Sequence, residues 1–139
     1  YFDGTSVSQL ASMIESLETG RSISPIKGRH ASCLAFTLKH LSDGELVIVS
    51  WKSRSGREHH WALAVGLEGI QVGRSFTPQT LLLLDPGLEE PMLSMFNARL
   101  EFTIHPPPRK AEYVRYRGTD GVTLSVRLTS AVAISAHQH

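Results

Sequence analysis

The stretch HHWALAVGLEGIQVGRSFTPQTLLLLDPG, residues 59–87, decides how the chain is read. It holds two strand-sized apolar runs, residues 62–65 behind a pair of histidines and residues 81–84 in front of Asp85. Pro86 stops the second run, and EGIQVGRSFTPQT between the two reads as a short hairpin excursion. If the runs are antiparallel neighbours, the start of one lies beside the end of the other, and His60 is adjacent to Asp85. A general base needs a group that titrates near neutrality and is held by packing. One of its ring nitrogens must be free and the other bound to an acceptor. His60 as base and Asp85 as its orienting acid meet those terms. Taken singly, a histidine at a strand start and an Asp-Pro-Gly turn are structural features. Taken together, at matched ends of two apolar strands, they favour a catalytic pair.

Working outward, ELVIVSW (45–51) is rich in β-branched residues and apolar on both faces, the pattern of a central, covered strand. ASCLAFTLKHLSDG (31–44) reads as a helix with Ala31, Leu34, Ala35, Leu38 and Leu41 as its apolar stripe and Gly44 at its end. RSISPIKGRH (21–30) reads as a loop, punctuated by Pro25 and Gly28. GTSVSQLASMIESLETG (4–20) reads as a first helix, with a Ser6/Gln9 capping box and a stripe of Leu10, Met13, Ile14 and Leu17. Downstream, ARLEFTIH (98–105) and AEYVRYR (111–117) are strand-like and separated by Pro106, Pro107 and Pro108. The turn GTDG leads into a long final strand, VTLSVRLTSAVAI (122–134). This order predicts an α+β fold: N-terminal helices packed on an antiparallel β-sheet, in a single domain over residues 1–139.

The chain has 139 residues, 41% hydrophobic and 19% charged, with a net charge of +1. That balance gives no reason to expect nucleic acid or an anionic membrane as partner, and no apolar run reaches spanning length. One cysteine, Cys33, excludes an intramolecular disulfide and a thiolate zinc cluster. His30 and Cys33 are only two ligands, and His59 and His60 point to opposite faces of a strand, so no metal and no cofactor is implied. Asp43, Glu45 and Glu58 read as solvated. Trp51 and Trp61 line either a cleft or a core. The loop KSRSGR (52–57) is placed to steer an acidic substrate or simply to confer solubility. Arg115 and Arg117 share a strand face but carry too little charge for a nucleic-acid surface.

The segments ELVIVSW, HHWALAVG and LLLLDPG resemble the second half of papain-like cysteine peptidases of the bacterial C39-like type, a group that includes effector proteases and glutamine deamidases. The resemblance covers roughly residues 5–90. It implies a papain-like half-barrel and a thiol hydrolase acting on a peptide or protein substrate. His60, directly before Trp61, takes the place of the family's base, and Asp85 that of its orienting acid. His59 takes the base's place if the register is off by one.

The family's nucleophile precedes these residues, on a buried helix. Cys33 has the right order in the chain and sits near a helix start. Against it, the interval to His60 is short for the family and no glutamine lies just upstream. Its segment also fits better the helix that directly precedes the first strand of the motif. Two readings stay open, with the second favoured: Cys33 is the nucleophile, or the nucleophile lies on a segment before Tyr1 or on a partner chain, and Cys33 is inert packing. Beside the hydrolase stand a catalytically inactive papain-like module and an unrelated α+β interaction domain. The last would offer the final strand as an edge for pairing and would leave His60 and Asp85 far apart. The sequence does not choose between a cytoplasmic protein and a secreted bacterial effector. Residues from Met92 onward carry no motif and are free to hold specificity or a partner surface.

Overall fold

A computed structural model describes residues 22–91, 94–102 and 113–135, together with Gln9 and Ser12. The first expected helix, residues 4–20, otherwise lies outside the described residues, as do the triple proline and the residues after Ser135. The described elements are β1 (Ser22–Lys27), α1 (His30–Ser42), β2 (Leu46–Ser53), β3 (His59–Val72), β4 (Ser75–Leu84), β5 (Ala98–Glu101), β6 (Val114–Gly118) and β7 (Thr123–Ser135).

The expected α+β architecture, helices packed on a sheet as a half-barrel, does not form. The strands run in the order β1-β7-β2-β3-β4-β5-β6, and β6 also pairs with β7, so six antiparallel strands close into a barrel with one helix against it among the described residues. The length of β7 makes closure possible. Its first part pairs with β6 from Val114↔Val126 to Arg117↔Thr123, and its last part pairs with β1 from Lys27↔Ser130 to Ser22↔Ser135. Its other edge is taken by β2. The final strand is therefore paired on both sides and offers no edge for a partner.

The segment expected to be a loop forms β1. Pro25 lies opposite Val132 in a strand whose only described neighbour is β7, and proline, lacking an N–H, is tolerated in such an edge strand.

A six-stranded barrel is narrow enough for side chains to fill it. Val47, Val49, Leu81, Leu83, Leu100, Val126 and Leu128 do so, each at most 1% exposed, with Ala62, Ala64, Ala98, Ala131 and Ala133 filling the tighter space between them. Each of the larger residues contributes about 1.5–3 kcal/mol by leaving water. The two-faced apolarity of ELVIVSW has its counterpart outside the barrel. Pro25, Val132, Ile48, Leu63 and Leu84 are successive register partners across β1, β7, β2, β3 and β4.

The expected hairpin excursion is continuous with the strands around it. β3 and β4 stay paired from Leu63↔Leu84 to Val72↔Ser75, around Gly73 and Arg74. The register shifts between Glu68 and Gly69, where a Cβ on Gly69 would stand 2.0 Å from the Thr77 carbonyl oxygen. No side chain fits there.

A second irregularity seats the helix. The β2–β7 register shifts between Ser50 and Trp51, from Ser50↔Ser130 to Trp51↔Leu128, leaving Thr129 as an extra residue. The backbone groups freed by this bulge bind the start of α1: Gly28 N–H donates to Thr129 O (3.1 Å), and Leu128 N–H donates to His30 Nδ1 (2.9 Å). The helix turns Cys33 and Thr37 fully inward, while Ala31 and Ala35 of the expected stripe are exposed. Thr37 is tolerated inside because its hydroxyl donates to Cys33 O at 2.7 Å. The helix ends before Gly44, as expected.

Candidate functional site

His60 and Asp85 meet at the mouth of the barrel. The run 81–84 ends β4 with Leu81 and Leu83 inward, so the next inward residue is Asp85. His60 is on the inner face of β3 two residues before Ala62 and opposite Trp51 of β2. Because β3 and β4 are antiparallel, with Leu63↔Leu84, the start of one strand adjoins the end of the other. His60 Nε2 is 2.6 Å from Asp85 Oδ1. The far-apart placement required by an unrelated interaction domain does not occur.

Two residues missed in the sequence complete the arrangement. Tyr116, inward on β6, donates its hydroxyl to Asp85 Oδ2 at 2.5 Å. Asn97, 1% exposed just before β5, clamps the Asp85 backbone: its Oδ1 accepts from Asp85 N–H at 2.6 Å and its Nδ2 donates to Asp85 O at 2.9 Å. Gly87 N–H adds a donor to Asp85 Oδ1 at 2.8 Å. The alternation of VRYRG held a signal for Tyr116, since a buried tyrosine hydroxyl needs a partner. Asn97 had only its place before an apolar strand.

Burial alone would raise the Asp85 carboxyl. The donors His60, Tyr116 and Gly87 outweigh it, and the group is held below its ordinary value. Burial first, then Asp85, pushes the Tyr116 hydroxyl far above its usual range, so it stays a donor. An ionised carboxylate only accepts, which assigns the proton of the neutral His60 ring to Nε2 and leaves Nδ1 its basic nitrogen. Trp51 holds the ring from the side: its centroid is 5.2 Å from that of His60, edge-on at 71°, and 4.9 Å from that of Tyr116, stacked at 29°.

His60 is about a quarter exposed (24%) and opens on a cleft of about 320 Å³. Trp51 and Tyr116 form its inner wall, with Arg57, Glu58, Asp120 and Leu124 around it. Trp61 lies elsewhere, packed with Val132 in a separate cluster. A second hollow of about 460 Å³ shares Asp85 and Leu88 with the cleft and runs over Ile48, Leu63 and Leu84.

Cys33 is placed differently. Its thiol is fully buried, its Sγ lies 3.8 Å from Gly28 O, and burial pushes it up despite that contact. It is not among the described residues lining the cleft. Its helix packs on β7, β2, β3 and β1 and has no described contact with β4, β5 or β6. His30 serves the helix start, and burial lowers its basicity. Among the described residues no group of three or more side chains is placed to hold a metal ion, and no helix is long and apolar enough to cross a membrane.

Of the acids expected to be solvated, Glu45 instead pairs with His40 Nδ1. Glu58 is fully exposed, and hydrogen bonds from Ser53 and Ser55 hold it below its ordinary value. Arg115 and Arg117 both pair with Glu101.

No protein-family model matches the chain, and neither a curated protein nor a solved structure does.

Proposed function

We propose that this chain supplies the base and orienting acid of a papain-like thiol hydrolase, a peptidase or glutamine deamidase. The observation that carries this reading is the 2.6 Å contact between His60 Nε2 and Asp85 Oδ1 at the mouth of an open cleft. His60 Nδ1 takes the proton of a thiol and returns it to the leaving amine, while Asp85 holds the ring in one tautomer. The substrate is a peptide or protein side-chain amide bound in the cleft beside His60. The described cleft residues include no thiol, and the chain's one cysteine is buried against Gly28, so the nucleophile comes from another polypeptide segment.

The test is thiolysis of an activated peptide ester by an added small thiol, with the intact chain, His60→Ala and Cys33→Ala. Base catalysis of this kind is worth about 10²–10⁴-fold. The expected result is an acceleration that needs His60 and the added thiol but survives Cys33→Ala. Acceleration that needs Cys33 without added thiol makes Cys33 the nucleophile. Absence of a His60-dependent acceleration leaves the inactive, peptide-binding module.

A further inference from the structure

We propose that Tyr116 is the positioning residue of the His60 base: its hydroxyl occupies Asp85 Oδ2 and its ring backs Trp51, leaving His60 a single acceptor and a single orientation. This rests on the reading of His60 as a base, and assigns to that site a residue the papain-like motif does not contain.

The geometry carries it in two independent ways. Asp85 has two carboxylate oxygens and is 4% exposed, so water cannot satisfy an oxygen that lacks a partner. Oδ1 serves His60 and Gly87, and Oδ2 serves Tyr116. With Oδ2 engaged, the carboxylate cannot turn its other oxygen to the imidazole. Nor is it free to act as a proton donor or acceptor toward substrate. Separately, Trp51 lies stacked on Tyr116 and edge-on to His60, so the three rings and the carboxylate form a closed circuit.

The circuit draws on β2, β3, the end of β4 and β6. Since β6 joins β5 to β7 and so completes the barrel, the orientation of the base depends on barrel closure. Tyr116 is not itself a reacting group, because its proton is committed to Asp85.

The decisive comparison is the intact chain against Tyr116→Phe, which keeps the stack and removes only the hydroxyl. NMR of the Asp85 carboxyl carbon and of the His60 ring nitrogens reads the site without requiring turnover. Tyr116→Phe is expected to raise the Asp85 titration midpoint by about one pH unit, a tenfold gain in proton affinity. It also changes the His60 ring from a single Nε2–H tautomer to a mixture. A variant that is less stable but leaves both signals unmoved overturns the proposal and makes Tyr116 a packing residue. Should the variant fail to fold, the wild-type hydroxyl proton decides. A slowly exchanging Tyr116 proton correlated with the Asp85 carboxyl supports the proposal, and one exchanging at the solvent rate overturns it. Thiolysis that fails while these signatures hold removes the hydrolase reading but leaves the positioning role in place.

Discussion

Cys33 and Asp85 are both ionisable and both almost without solvent, yet the fold treats them in opposite ways. Around Cys33 the turn before the helix supplies one carbonyl, that of Gly28 at 3.8 Å, and the rest is apolar packing, so burial dominates and the thiol stays neutral. Around Asp85 three donors converge on one carboxylate, and together they outweigh the same burial. Both responses follow from one rule: burial removes charge unless the fold supplies donors to replace water. A buried group without donors is packing. A buried charge with a complete set of donors, one of them on a quarter-exposed imidazole, is a candidate site.

The largest effect that sharpens this contrast is expected for Asp85→Ala. It strands His60, Tyr116 and the Gly87 amide together, and should lower stability by about 3 kcal/mol in urea unfolding. A loss below about 1 kcal/mol would show that the network contributes little. The effect depends on pH with a definite sign. Asp85 is held below its ordinary value of 3.8, so its contribution is present above that value and is lost as pH falls through the folded-state midpoint. The gap between wild type and Asp85→Ala should therefore close on acidification below pH 3.8. A gap that stays constant would mean that the carboxylate's charge is not what stabilises the fold.

Cys33→Ser comes next. It places a hydroxyl in the packed core and should cost about 2 kcal/mol, with no change in His60-dependent thiolysis. A stable serine variant with altered thiolysis would place Cys33 in the site. The smallest effect is expected for Gly87→Ala. Its Cβ would lie 3.2 Å from Asp85 Oδ1 and 3.4 Å from His60 Nε2. That crowding should cost about 1 kcal/mol while shifting the His60 Nε2–H signal. An unmoved signal would show that the turn yields instead of the pair.

Local pattern accounts for what the sequence made legible. His60 and Asp85 sit at matched ends of two apolar runs, and antiparallel pairing alone brings such ends together. Gly44 closes the helix for reasons contained in a few residues. Barrel closure depends instead on partners far apart in the chain: β2 meets β7 from Leu46↔Ile134 to Ser53↔Val126, a pairing that no local periodicity encodes. Pro25 read as a loop breaker because its tolerance at an edge depends on which strand lies beside it. Leu34, Leu38 and Leu41 of the expected helix stripe pack against the core, but Ala31 and Ala35, apolar yet small, are exposed. Thr37 is polar but satisfied within its own helix, and so could be buried in their place. Asn97 and Tyr116 lie beyond the motif: the β4–β5 pairing sets Asn97 on the Asp85 backbone, and Tyr116 reaches the Asp85 carboxylate from β6.

The most direct test of the claim that chemistry belongs to His60 and not to Cys33 is the pH–rate profile for iodoacetamide alkylation of the sole thiol, in the native chain and in His60→Ala. The account predicts slow alkylation limited by local opening, the same in both proteins and faster as urea is added. Rapid alkylation near neutral pH that collapses in His60→Ala would contradict it, and would make Cys33 the nucleophile.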